Sequence, residues 1–148
     1  MGVIGVGNMG SALVRGIINQ GIINEKSIII CDIDNSKVNI LCKELGVTDG
    51  IDAKNVANLS DLIILASKPQ NITSLLEQIS NEINASQTVM SIAAGITTSS
   101  IEEFLPEIPI IRVMPNLPAL IGQGMSISVS YTHLRAHETK ANLVCRLL

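Results

Sequence analysis

The sequence is almost without aromatic residues: 148 positions hold no tryptophan, one tyrosine and one phenylalanine. Both histidines (His133, His137) and the tyrosine (Tyr131) fall after position 130, so residues 1–128 offer neither an imidazole nor a phenol for acid–base work. Basic residues are not in excess. Ten lysines and arginines stand against 13 aspartates and glutamates, a formal charge of -3, which argues against a nucleic-acid surface. No apolar run reaches the ~20 residues of a membrane span. The N-terminus has no basic segment leading into a long apolar core, so no secretory signal is expected. The three cysteines, Cys31, Cys42 and Cys145, form no CxxC pair and no ligand cluster, and a reduced, cytoplasmic protein is the expectation.

What is present is a hydrophobic chain, 47% apolar, of a length that suits one domain with a real core. Short apolar runs alternate with helix-like segments. Residues 2–6 read as a strand, and 11–20 as a helix with Leu13, Ile17 and Ile18 on one side. Residues 27–32 (SIIICD) form a continuous apolar run, as in a strand buried on both faces. Asn35 or Ser36 is placed to cap the next helix, which turns Val38, Leu41, Cys42 and Leu45 inward and stops at Gly46. Residues 61–67 are a further strand. Pro69 suits a first helical turn, and Ile72, Leu75, Leu76, Ile79 and Ile83 follow at helical spacing. Residues 87–95 are a strand, 97–105 a capped short helix, 109–115 a last strand. Strands alternating with helices predict right-handed βαβ units: an α/β, Rossmann-type, doubly wound and mainly parallel sheet.

The first turn of this pattern is Gly5-Val6-Gly7-Asn8-Met9-Gly10, a G-x-G-x-x-G between strand and helix, where a dinucleotide fingerprint belongs. In that reading Gly5 makes the tight turn, Gly7 lets backbone approach a pyrophosphate, and Gly10 allows close helix–strand packing. The bland alternative is a glycine turn with no ligand. Asp32 closes the second apolar run where a carboxylate accepts the adenosine ribose hydroxyls of NAD; with Asp34 it disfavours a 2′-phosphate, unless Lys37 offsets them. The cofactor expected is NADPH or NADH, with a lean to NADH; Asp32 and Asp34 as mere helix caps are the alternative. Two more strand ends, Ala66-Ser67-Lys68-Pro69 and Ala93-Ala94-Gly95, are rich in small residues that let a ligand lie against backbone, and Lys68 adds one cation that either reaches a phosphate or is solvated.

Taken together, VIGVGNMGSALVRGI, ILASKPQNI, SIAAGITTSSIEEFLP and IIRVMPNLPALIGQGMS resemble the pyrroline-5-carboxylate reductase family, in order over residues 2–126. The resemblance implies NAD(P)H-dependent reduction of the cyclic imine 1-pyrroline-5-carboxylate to L-proline. It places cofactor contacts on Ile4, Gly5, Val6, Gly7, Asn8 and Met9, around Asp32, on Ala66 to Pro69 and on Ile92 to Gly95, with Met114, Pro115 and Asn116 bordering the nicotinamide. It also implies a following all-helical domain that makes a homodimer or higher oligomer and supplies most of the substrate pocket, a domain expected to be absent here. No residue of 1–128 is a credible proton donor, and the catalytic residues are not identified. Three positions depart from the pattern: Leu117 for a usual Thr, Ser67 for a usual Val, and Ala53, with Asn55 nearby, for a usual Asn. Another reductase with a similar first domain, such as the 3-hydroxyisobutyrate dehydrogenase type, or a non-catalytic NAD(P)-binding module, is the alternative.

The composition changes near Val129. The last twenty residues contain no isoleucine but hold Tyr131, both histidines, Arg135 and Arg146. VSYTHLRAHET resembles an in-frame translation of a transposon-type sequencing adapter, and LVCRLL that of the primer after it. Residues 1–128 are therefore expected to be the NAD(P)-binding domain and 129–148 a non-native tail, a genuine divergent segment being the alternative. His133 and His137 stand at i,i+4 spacing, but without a third ligand no metal site is expected.

Overall fold

The structure, a computed structural model, describes residues 1–114, 125–131 and 143–146; Pro115 and Asn116 of the expected site lie outside them. β1 (Gly2–Ile4) leads through the glycine turn into α1 (Asn8–Asn19), which begins three residues before the expected start because Gly7 already serves as its N-cap. β2 (Ile29–Cys31) is shorter than its apolar run, since Glu25–Ser27 form a 3-10 turn capped by Asn24. α2 (Asn35–Leu45) corrects the expected cap. Asp34, not Asn35 or Ser36, is the extended residue whose carboxylate accepts the Ser36 N–H, at 3.1 Å. The helix stops at Gly46 as expected, with φ 73 and its N–H on the Cys42 carbonyl.

Two elements, β3 (Thr48–Asp49) and α3 (Ala53–Asn58), were not legible in the pattern: β3 is two exposed residues, and α3 is six, too short to show periodicity. β4 (Leu62–Leu65), α4 (Pro69–Ile79, proline in its first turn), β5 (Thr88–Ser91), α5 (Thr98–Glu102, capped by Thr97) and β6 (Ile110–Met114) fall where the sequence places them. β7 (Met125–Tyr131) and β8 (Leu143–Arg146) follow, β7 running across the boundary expected after residue 128.

The strands form one sheet in the order β3-β2-β1-β4-β5-β6-β7-β8. β1 to β6 are parallel, and β7 and β8 are antiparallel additions at one edge. Consecutive side chains in the central strands point to opposite faces, and both faces are covered. Ile4, Cys31, Ile63, Leu65, Val89 and Ile110 pack with Val56, Ile72, Leu76 and Ile101 from α3, α4 and α5. Val3, Ile30 and Ile64 pack with Val14 of α1 and Val38 and Leu41 of α2. This is why β2 and β4 read as unbroken apolar runs. Burying each such Ile or Leu contributes about 1.5–3 kcal/mol, so the strand ends stand on a rigid platform. Chain order reverses between β1 and β4, and in an open parallel sheet the carboxyl ends at that reversal border a crevice.

Candidate cofactor site

The glycine turn sits at that crevice, and its three glycines do different things. Gly5 has φ +100, and a Cβ there would lie 2.8 Å from the Ala66 carbonyl carbon and 2.8 Å from the Ser67 nitrogen. A Cβ on Gly10 would land on the Gly5 carbonyl oxygen. Both are required by the chain's own packing. Gly7 is not: its φ of -64 and ψ of -167 suit any residue, and an added Cβ would meet nothing within 4 Å. The space above Gly7 is open, on the side where α1 begins. That helix has no side-chain N-cap and no acidic residue in its first turn. Its first N–H groups, from Asn8 onward, thus offer donors and a positive dipole end without a protein anion to cover them. A phosphate fits this arrangement, as backbone next to an uncapped helix start.

Asp32 follows β2 as expected and is partly buried. Its Oδ2 accepts the Val6 N–H at 2.7 Å, and its Oδ1 accepts the Asp34 N–H at 2.9 Å. It is therefore a brace between the glycine turn and the β2–α2 loop rather than a helix cap. An ionised carboxylate offers about four acceptor sites. Two are used, which leaves lone pairs for hydroxyls of a bound ribose. Cys31, just before it, stays a neutral thiol: desolvation first, then the charges of Asp32, Asp52 and Asp49, push it up to about 12. It is no nucleophile, and its shift shows how many carboxylates gather at this strand end.

These residues open onto one cleft of about 660 Å³, within the range of roughly 300–1,000 Å³ typical of small-molecule sites. Ile4, Gly5, Gly7, Asp32, Ala66, Ser67 and Lys68 line it, bringing together the expected residues of three strand ends. Ser67 donates its hydroxyl to the Ile4 carbonyl at 3.3 Å and so ties β4 to β1. Lys68 is the N-cap residue of α4, without a side-chain cap hydrogen bond, and Pro69 follows as the first helical residue. Val6 and Gly10 are buried beneath the turn. β5 ends at Ser91, short of the expected 95, so Ala93, Ala94 and Gly95 lie in the turn that follows it and are not among the lining residues of this cleft; Ala93 is buried, and Gly95 takes φ +76. Met114, 41% exposed at the end of β6, accepts a hydrogen bond at its Sδ from the Arg112 guanidinium.

Ala53, one of the departures from the pattern, lines the cleft, which also contains residues that the sequence did not single out: Ile33 and Ile51, 95% and 78% exposed, Asp52, and Asn71, Ser74 and Gln78 of α4. Asn55, near the departure at Ala53, does not stand in for the missing asparagine: its amide donates to the Gly50 carbonyl at 3.1 Å. Asp34 and Lys37 pair at 3.3 Å, and the Ser36 hydroxyl, then Lys37, hold the Asp34 carboxyl below its ordinary value. Among the described residues no group of His, Cys, Asp and Glu is arranged to hold a metal, and no helix is long and apolar enough to cross a membrane.

Comparison with known proteins agrees with this geometry. Residues 1–95 match the family model described as NADP oxidoreductase, coenzyme F420-dependent. The pyrroline-5-carboxylate reductase of Methanosarcina acetivorans is 39% identical over 127 residues, covering 85% of this chain and 47% of that protein. The structure of a pyrroline-5-carboxylate reductase from Coxiella burnetii superposes with a TM-score of 0.84 at 28% identity, covering 90% of this chain and 50% of the other. The Plasmodium falciparum pyrroline carboxylate reductase, whose structure has NADP bound, superposes with a TM-score of 0.75 at 30% identity, covering 91% and 49%. The chain spans about half the length of the relatives it matches. The chain therefore belongs to the family of NADP oxidoreductases described as coenzyme F420-dependent and, through its N-terminal domain, to the pyrroline-5-carboxylate reductases.

Proposed function

We propose that residues 1–128 bind a nicotinamide dinucleotide and that, in the whole protein, they serve the reduction of 1-pyrroline-5-carboxylate to L-proline. The observation that carries this reading is Gly7: a glycine that the fold does not need, at an uncapped helix start, facing an open cleft. The NADP bound to the Plasmodium relative supports the same class of ligand. NAD(P)H supplies a hydride when bound. This chain's part is to hold and orient. Gly7 and the N–H groups from Asn8 and Met9 meet the pyrophosphate, and Asp32 takes ribose hydroxyls. Lys68 adds a cation at the crevice, and Ala93, Ala94, Gly95 and Met114, with Pro115 and Asn116, continue along the edge toward the nicotinamide end. The imine pocket, the oligomer and the proton donor belong to the other half of the protein.

The finer choice within that class is NADH over NADPH. Asp32, Asp34 and Asp52 line the cleft with two lysines, Lys37 and Lys68, and Lys37 is already paired with Asp34. A 2′-phosphate would add negative charge to an acidic rim in partial shelter from solvent, where charge repulsion is screened less than in water. Titrating the protein with NADH and NADPH, read by nucleotide fluorescence at low salt, should give a dissociation constant roughly tenfold lower for NADH, the gap narrowing as salt is raised. Equal or tighter NADPH binding would overturn the preference, and binding of neither would overturn the dinucleotide reading. We also propose that residues 129–148 are no part of this domain, on the composition change after Ser128. A chain ended at Ser128 should bind NADH within twofold of the full chain; loss of binding would return the tail to the domain.

A further inference from the structure

Arg112 carries a positive charge and a fork of five N–H donors, and the described residues give it little to hold. The ion pairs among them are Arg15 with Glu44 and Lys37 with Asp34. Ser91 stands opposite Arg112 in the β5–β6 register and is fully buried, but its hydroxyl oxygen accepts the Ala93 N–H at 3.3 Å. Arg112 Nε is buried with no hydrogen-bond partner among the described residues. The bond the guanidinium does make runs from Nη2 to Met114 Sδ, at 3.4 Å. A thioether is a weak acceptor. It stands where a carboxylate or a carbonyl oxygen would ordinarily be.

The strand sets this pair up. Residues two apart on a strand share a face. Ile110 packs in the core with Ile101 of α5, and Arg112 and Met114 continue that face of β6 to its carboxyl end. Met114 is exposed there, whereas Met9 and Met90 are half-buried. Exposure admits a peroxide to a thioether. The cysteines compete poorly. Burial first, then nearby aspartates, push the Cys31 thiol up to about 12 and raise Cys42, and the thiol is not the reactive form. Oxidation turns a thioether into a polar sulfoxide. The sulfur lone pair attacks one oxygen of hydrogen peroxide, the O–O bond breaks and an S–O bond forms. The departing hydroxide takes the proton left on the transferred oxygen and leaves as water. Sulfur loses two electrons and the peroxide gains them. The new oxygen is a strong acceptor beside a guanidinium that already touches the sulfur.

We propose that Met114 is a site of peroxide oxidation to the sulfoxide and that Arg112 receives the sulfoxide oxygen, drawing the side chain away from the nicotinamide end of the cofactor site. The effect on the cofactor rests on the dinucleotide reading above; the oxidation itself does not. Limiting hydrogen peroxide followed by peptide mapping should show Met114 oxidised roughly tenfold faster than Met9 or Met90. An equal or slower rate overturns the site. The oxidised parent should melt above the reduced parent, because the new oxygen bonds to Arg112. Arg112→Leu should lose that rise, and Arg112→Lys, which keeps the charge but not the fork, should retain part of it. No rise in the parent, or the same rise in Arg112→Leu, overturns the part given to Arg112. On oxidation NADH affinity should fall roughly fourfold, the worth of one lost methylene contact, while ADP-ribose, which lacks the nicotinamide, binds as before. Equal losses for both ligands overturn the placing of the effect at the nicotinamide end. Met114→Leu should respond to peroxide in neither melting nor NADH binding, and a response there overturns the proposal. A parent protein that binds neither NADH nor ADP-ribose overturns the dinucleotide reading, and the peptide map and the melts then decide the oxidation site by themselves.

Discussion

Gly5 and Ile51 lie in the same cleft, both with positive φ, at +100 and 67, and they reach that conformation by opposite means. At Gly5 the backbone needs a left-handed turn and the sequence supplies the residue that adopts it at little cost. No side chain is present because Ala66 and Ser67 leave no room for one. At Ile51 the sequence supplies a β-branched residue where glycine or asparagine is the usual choice, and a net of hydrogen bonds from Asp49, Gly50, Asp52 and Asn55 keeps it there. The glycine turn takes side chains away so that backbone can meet a ligand, whereas the β3–α3 turn brings a side chain forward. Local preference and the fold agree in the first and conflict in the second, and such conflict is expected where a site has a use for it.

The comparison can be broken most sharply inside the glycine turn. Gly7→Val sets its Cβ in open space but puts a poorer residue at the N-cap of α1, so the melting temperature should fall only slightly, while NADH affinity should fall roughly 100-fold or more, because the branched side chain occupies the pyrophosphate approach. Gly10→Ala should do the reverse. Alanine in a helix ordinarily gains up to about 1 kcal/mol over glycine, but here its methyl group meets the Gly5 carbonyl oxygen, a backbone atom that cannot swing aside. Overpacking of this kind costs about 1–3 kcal/mol, so the clash wins and the melting temperature drops. Thermal melts and NADH titrations of both variants check the pair. Full NADH affinity in Gly7→Val would mean that the open space above it is not a ligand's.

The same contrast shows what was legible in the sequence. The strands β1, β2, β4, β5 and β6 and the helices between them could be read because each buries apolar residues on both faces or at helical spacing. The glycine turn could be read because its three glycines have fixed offsets. β3 and α3 could not. Two exposed strand residues and less than two turns of helix carry no period. Ile51 was invisible for the same reason: nothing in Asp49-Gly50-Ile51-Asp52 announces a positive φ at the isoleucine, whose turn is held by hydrogen bonds to Asp49, Ile30 and Asn55. Asp32 could be placed at the close of the second apolar run, directly after β2, but not its bond to Val6, which spans 26 residues and depends on the β1–β2 register. An isolated exposed Ile33 likewise reads as ordinary surface until the fold sets Ile51 next to its loop.

Asp32 joins the glycine turn to the β2–α2 loop and gives the smallest but most informative change. Its carboxylate holds the Val6 N–H in the glycine turn with one oxygen and the Asp34 N–H on the acidic rim with the other. In Asp32→Asn one of those oxygens becomes an NH2 group facing a backbone N–H. Donor meets donor, one hydrogen bond is lost, and the cost is about 1–3 kcal/mol, read as a lower melting temperature. How affinity responds separates two roles. A brace alone positions the turn for any dinucleotide, so NADH and NADPH should weaken by the same factor. A brace that also accepts the ribose hydroxyls loses more with NADH, and removing its negative charge lessens repulsion of a 2′-phosphate. We expect the second pattern: NADH weakened about tenfold, and NADPH less, so that the ratio between them shrinks. Titration of Asp32→Asn with both nucleotides, beside its melting curve, decides the matter. Parallel losses assign Asp32 to holding the two turns together and move the choice of cofactor to Asp34 and Asp52. An unchanged melting temperature with unchanged affinities would show that the glycine turn and the rim stand independently of the residue that links them.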